Sequence, residues 1–118
     1  MDKVKMVILV NMRLKMKCGK IASQSCHASN MAIENLKKRN IKLYNIWKFT
    51  GQKTVVVKAE NEEQFLDIKQ KLDSLKINNV IVNDMGLTQI AAGSMTTMGI
   101  GPFYEKIIDQ VTGNLKLL

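Results

Sequence analysis

Long apolar runs, proline, cysteine and acidic residues are what this 118-residue chain has little of. No stretch approaches the roughly 18 apolar residues that a membrane-spanning helix needs. One proline and seven glycines leave no low-complexity linker, so the chain is expected to be one domain over residues 1–118, large enough to bury a core. Two cysteines, Cys18 and Cys26, cannot build a disulfide framework. They are eight residues apart, leading into and lying within one expected helix, which is awkward for a bridge. With His27 they lack the fourth ligand and the close Cys pair of a zinc site, so no metal is expected. Both read as reduced thiols, Cys26 half-buried. Several motifs are missing as well. There is no phosphate-cradling Gly-x-x-x-x-Gly-Lys, and Gly99-Ile100-Gly101 lacks the third glycine of a dinucleotide turn. No Gly-x-Ser-x-Gly elbow occurs, which argues against a serine-nucleophile hydrolase. Met1–Val10 moves from charge into apolar residues, but Arg13, Lys15 and Lys17 follow it where a signal peptide has small residues. It reads as a first strand, in an intracellular protein.

What the chain has in excess is positive charge. Eighteen Lys and Arg face ten Asp and Glu, for a net charge of +8. Residues 1–58 carry thirteen of the bases and only Asp2 and Glu34, whereas residues 59–118 carry five bases and eight acids. Such a basic half is the electrostatic footprint of a polyanionic partner, although scattered lysines also simply keep a surface solvated. Arg13, Lys15, Lys17 and Lys20 form one cluster. Lys37-Lys38-Arg39 forms another, which also suits the negative end of a helix dipole.

The hydrophobic pattern alternates between strand and helix. Lys3–Val10 is a near-continuous apolar run and reads as a central strand. Gly19 to about Arg39 is a long helix breaking near Asn40, with Ile41–Phe49 a candidate short helix. Lys53–Lys58 is a β-branched strand. Asn61-Glu62-Glu63-Gln64 resembles a capping box before a helix whose buried stripe is Phe65, Ile68, Leu72 and Leu75. Asn79–Asn83 is a third strand, and Met98–Gly101 a last one after a polar stretch. Pro102 is expected to start a final helix, Phe103–Thr112, stopped by Gly113. The apolar tail Leu115–Leu118 should pack down. The order predicts an α/β layered domain around a small mixed, mostly parallel four-stranded sheet.

Within the long helix, Lys20, Gln24 and His27 fall at i, i+4 and i+7, one polar stripe flanked by Ala22, Ser23, Ser25, Ala28 and Ala32. Such a helix can lie close to a sheet while presenting an ammonium, an amide and the chain's one imidazole. In layered α/β folds functional groups gather beyond the carboxyl ends of strands. Lys15–Lys20 follow the first strand, and Asp84, Thr88 and Gln89 follow the third, so the two segments can meet in one crevice. Asp84 can equally close an Asx-turn, and Thr88, Thr96 and Thr97 can be ordinary turn and strand residues.

These residues carry a family resemblance over nearly the whole chain. Leu14-Lys15-Met16, Gly19-Lys20-x-Ala22-x-Gln24-x-x-His27-Ala28, Gly51-Gln52-x-x-Val55-Val56-Val57-Lys58-Ala59, Asp84-x-Gly86-x-Thr88-Gln89-Ile90-Ala91-x-Gly93-Ser94, Thr96 with Gly99-Ile100-Gly101-Pro102, and Ile108-Asp109-x-Val111-Thr112-Gly113-x-Leu115-Lys116-Leu117 stand in the order of the archaeal/eukaryotic-type (type II) peptidyl-tRNA hydrolases, which the chain resembles. The resemblance implies a three-layer α/β/α sandwich, often a homodimer, working in the cytoplasm near ribosomes without metal or cofactor. It implies hydrolysis of the ester that joins a peptide to the terminal ribose of tRNA. Lys20, His27, Asp84 and Thr88 would then be catalytic. Arg13, Lys15, Lys17, Gln24, Gln89 and Thr96 would bind substrate. His27 is one candidate base with Asp84 orienting it; an Asp84–water–Thr88 arrangement with His27 in support is the other. The chain departs from the family's pattern at Asn11-Met12-Arg13, Lys17-Cys18, Met85, Leu87 and Ala92. A tRNA-binding module without turnover is the alternative function.

Overall fold

The computed structural model describes residues 2–85 and 93–118. Its elements run β1 (Val4–Asn11), a 3-10 turn (Met12–Leu14), α1 (Cys18–Arg39), α2 (Ile41–Phe49), β2 (Thr54–Ala59), α3 (Glu62–Ser74), β3 (Asn79–Asn83), β4 (Met95–Tyr104) and α4 (Glu105–Thr112). The strands form one sheet in the order β2-β1-β4-β3. β1 and β2 pair in parallel, while β4 lies antiparallel between β1 and β3. Three strands thus share a direction, but only one adjacent pair is parallel, so "mostly parallel" holds for direction and not for pairing.

Helices cover both faces. Val4, Met6, Ile8 and Val10 of β1 point toward α1 and α2, meeting Ala28, Ala32, Leu36, Leu43 and Trp47. Val7 and Leu9 point the other way into a core with Phe65, Ile68, Leu72, Ile108 and Val111. That two-sided burial is why β1 reads as a continuous apolar run instead of an alternating one. Asn40 ends α1, and its side chain accepts from Leu43 N to start α2. Asn61 caps α3 by accepting from Gln64 N, and Gln64 Oε1 accepts from Glu60 N, so the expected capping box forms with its return bond one residue earlier. The tail is tied down by its backbone: Leu117 bridges to Val57, with bonds from Lys58 N to Lys116 O and from Leu118 N to Val56 O. Only Leu115 packs on the core, while the side chains of Leu117 and Leu118 are exposed. Among the described residues no helix is long and apolar enough to cross a membrane.

Three expectations need correction. Pro102 does not open a helix: β4 runs on to Tyr104, and the Gly101–Pro102 bond inside it is cis. The proline sits where the β1–β4 register shifts between Lys5 and Val7 and beyond the last β3 partner, a place where a missing N–H costs no ladder bond. Leu75 is not in the α3 stripe. Lys76 adopts a left-handed φ of 57° just after the helix, which turns Leu75 outward and sends Ile77 into the core instead. Cys26, like Cys18, is free and exposed.

Candidate active site

α1 lies unusually close to β4. A Cβ on Gly99 would stand 2.3 Å from the Ala28 carbonyl oxygen, so only glycine lets the helix backbone approach this near. The small residues Ala28 and Ala32 complete the contact. Two threonines then fix the helix along its axis. Thr97 Oγ1 donates to the Gln24 carbonyl at 2.8 Å, and Thr96 Oγ1 to the Gln24 side-chain oxygen at 2.5 Å. Neighbouring strand residues normally face opposite sides of a sheet. Here Val82 pairs with Thr97 and Asn83 with Met95, so Thr96 is the extra residue of a β-bulge, and both hydroxyls reach α1. Asn78 adds a third tie, donating to Ala32 O and Gly101 O while accepting from Arg39.

Held this way, the first turn of α1 faces the end of β3. Lys20 Nζ meets Asp84 Oδ1 at 2.7 Å, with the Asp84 side chain only 2% exposed. The Asp84 backbone is clamped as well, its N–H donating to Ser94 O and its carbonyl accepting from Gly93 N. A cavity of about 500 Å³ opens beside the pair, lined by Lys20, Gln24, His27 and Met31 from α1 and by Ile81, Val82, Asn83, Asp84 and Met85 from β3 and its end. The N-terminus of α1 adds to the field: among the described residues no side chain caps it, and its partial positive charge lies beside Lys20.

The structure therefore gathers Lys20, Gln24, His27 and Asp84 on one cavity, with Thr96 behind Gln24. Gln24 is not on a solvated face, however. It is buried in the row Gln24-Ala28-Ala32-Leu36 that packs on the sheet, whereas His27 is exposed at the cavity rim. Arg13, Lys15 and Lys17 are exposed and do not line this cavity; Arg13 borders a separate depression with Asn61, Glu62 and Glu63. Where the chain departs from the family's pattern, buried Asn11 donates to Met95 O and accepts from Arg13 N, so a neutral amide ties the end of β1 to β4. Thr88 and Gln89, with Leu87 and Ala92, lie outside the described residues. Thr97 and Asn78 are the positions that sequence reasoning missed. Only Thr97's place beside Thr96 hinted at its role, since a bulge leaves no signature in residue types. Among the described residues no group of three His, Cys, Asp or Glu side chains is placed to hold a metal ion.

Fold and site together define an α/β/α sandwich with a cleft between its first helix and the carboxyl end of its third strand, an ion pair at one end. The chain belongs to the peptidyl-tRNA hydrolase family, whose model, described as Peptidyl-tRNA hydrolase PTH2, matches residues 4–118. It is 42% identical over 116 residues to a peptidyl-tRNA hydrolase of Thermoplasma volcanium, covering 98% of each chain. It is 37% identical over 118 residues to one of Thermococcus onnurineus, covering all of both. With the mitochondrial peptidyl-tRNA hydrolase 2 of Homo sapiens it shares 42% over 113 residues, which are 96% of this chain and 63% of that protein. A solved structure of a protein of unknown function from Agrobacterium tumefaciens has a TM-score of 0.66 at 12% identity, covering 100% of this chain and 99% of that one, a likeness of fold alone.

Proposed function

We propose that this cavity hydrolyses the ester between a peptide and the terminal ribose of tRNA, releasing both. The observation that carries the reading is the Lys20–Asp84 pair at 2.7 Å, its carboxylate buried and its ammonium partly exposed, set in a cavity with Gln24 and His27 in a chain of this family. Ester hydrolysis needs an oriented water, a donor for the tetrahedral oxyanion and a proton for the departing oxygen. In this reading Asp84 accepts a hydrogen bond from the attacking water and aims it. The Lys20 ammonium, backed by the helix N-terminus, stabilises the oxyanion. His27 takes the proton from the water and returns it to the ribose oxygen as the C–O bond breaks. Gln24, its amide braced by Thr96, fixes the ester from the cavity floor. Thr88 and Gln89 are proposed to contribute from the segment after Asp84. Arg13, Lys15 and Lys17 meet phosphates, positioning the RNA without reading its sequence.

The test is release of amino acid from an N-acetylaminoacyl-tRNA by the purified protein in the presence of chelator. Lys20→Ala and Asp84→Asn are each expected to lower kcat by about 10²–10⁴. His27→Ala with unchanged turnover would remove His27 from the proton path. Salt-sensitive tRNA binding with no release would overturn the hydrolase reading. A cytoplasmic setting is part of the proposal, supported by two exposed free thiols that suit a reducing compartment. So are a homodimer, which sedimentation checks, and work close to ribosomes.

A further inference from the structure

β3 is an outermost strand of the sheet, and among the described residues no strand pairs with its outer side. Antiparallel ladders alternate between residues that bond to the neighbour and residues whose N–H and C=O turn away. Gly101 N donates to Asn78 O, which sets the phase: with Asn79 opposite Ile100 and Ile81 opposite Met98, Asn78, Val80 and Val82 bond to β4. Asn79, Ile81 and Asn83 therefore turn their backbone N–H and C=O outward. The cavity confirms where this edge leads. Four consecutive residues, Ile81 to Asp84, line it, although alternate side chains of a strand point to opposite faces. A cavity running along the strand's outer edge touches all four.

Its two ends differ in chemistry. Lys20 and Asp84 form the charged end, and Met31 with Ile81 the apolar end, about 16 Å away along α1 by helix rise. On the β3 side the wall from Ile81 to Asp84 is three residue steps, about 10 Å. An edge strand normally needs protection against pairing, usually by an inward charge, a lysine or a proline. β3, Asn79-Val80-Ile81-Val82-Asn83, has none of these.

We infer that the open edge of β3 takes the peptide moiety of the substrate as an added strand, running parallel to β3 and ending with its ester carbonyl between Lys20 and Asp84. The inference rests on the hydrolase reading and supplies what that reading lacks, a way to hold any peptide. Main-chain bonds to Ile81 and Asn83 are indifferent to side chains, which suits a substrate whose peptide sequence is arbitrary. Direction follows from position. The peptide's carboxyl end must sit at Asp84, the carboxyl end of β3, so the two chains run the same way. An aminoacyl ester with a free amine carries no peptide carbonyl to accept from the edge, so it forgoes the main-chain bonds that a peptidyl ester makes.

The experiment uses the wild-type protein and tRNAs chemically acylated with N-acetylalanine, or with N-acetylated di-, tri- and tetra-alanine. Relative kcat/KM is expected to rise about three- to tenfold for each added edge bond and to level off near four residues, where β3 ends. Within the tetra-alanine ester, N-methylation is expected to cost about three- to tenfold at alternate positions and little at the positions between them. Equal rates across the length series, or equal costs at every methylated position, would overturn the inference while leaving the hydrolase standing. Release from none of the esters would overturn both.

Discussion

The two faces of the sheet are built on different rules. Against α3 and α4 the sheet packs large apolar side chains: Phe65, Leu72, Met98, Ile100 and Ile108 are all fully buried. The other face also buries Met6, Ile8, Leu36, Leu43 and Trp47, but where α1 crosses β4 it packs alanines and a glycine, and the buried groups there include Gln24, Asn78, Thr96 and Thr97. Large apolar volume stabilises strongly but tolerates small shifts, because dispersion and hydrophobic burial have little directional demand. Close backbone approach with side chain to main-chain hydrogen bonds contributes less per residue, yet it fixes a helix in rotation and in translation. Only the second face carries the candidate site. Both faces hold the fold together, and the close α1–β4 contact on the second also holds Lys20 against Asp84.

The strongest way to break this division is Phe65→Ala. Phe65 is wholly buried on the apolar face, so the cavity left behind should lower stability by about 3–5 kcal/mol. The urea midpoint checks it, and kcat/KM of the remaining folded protein is expected to stay within about twofold. Loss of activity beyond the loss of folded protein would mean that the faces are not separable. Gly99→Ala is the complementary change. Its methyl group would press on the Ala28 backbone, which can give only if α1 moves. Overpacking of this kind costs about 1–3 kcal/mol, less than the Phe65 cavity. The activity loss should be larger, about tenfold to 10²-fold in kcat/KM, because displacing α1 carries Lys20, Gln24 and His27 away from Asp84. Full activity in this variant would show that the close packing does not set the site.

The same division explains what could be read from the chain beforehand. Apolar periodicity marks β1, β2 and α3 because their burial is a matter of volume, and volume is written in residue types. The meeting of Lys20 with Asp84 was legible too, since strand order sends both segments to the same end of the sheet. What stayed hidden depends on single register shifts. The bulge at Thr96 turns Thr96 onto α1 beside Thr97, and the shift beside Lys5 gives Pro102 a place inside β4, where a proline ordinarily signals a helix start. Gln24 was read from helical spacing as a cleft residue; the spacing is right, but burial by β4 makes it part of the packing as well.

The smallest expected effect tests whether polar contacts matter equally on the two faces. Asp73, at the end of α3, accepts from Asn79 Nδ2 at 2.8 Å and lies 3.4 Å from Lys69, but its side chain is about half exposed. The Asn79 amide, and secondarily Lys69 and Arg39, hold its carboxyl below the ordinary value of 3.8. A lowered carboxyl favours the folded state above that ordinary value and loses its contribution as pH falls through the folded-state value. Asp73→Asn is therefore expected to lower Tm slightly at pH 7, by at most a few degrees because solvent screens the contact, and the difference should shrink as pH is taken below 3.8. Hydrolysis should not change, although Asn79 begins the strand that leads to Asp84. If Asp73→Asn instead slowed hydrolysis as Gly99→Ala is expected to, the position of β3 would depend on the α3 face, and the site would rest on both faces of the sheet.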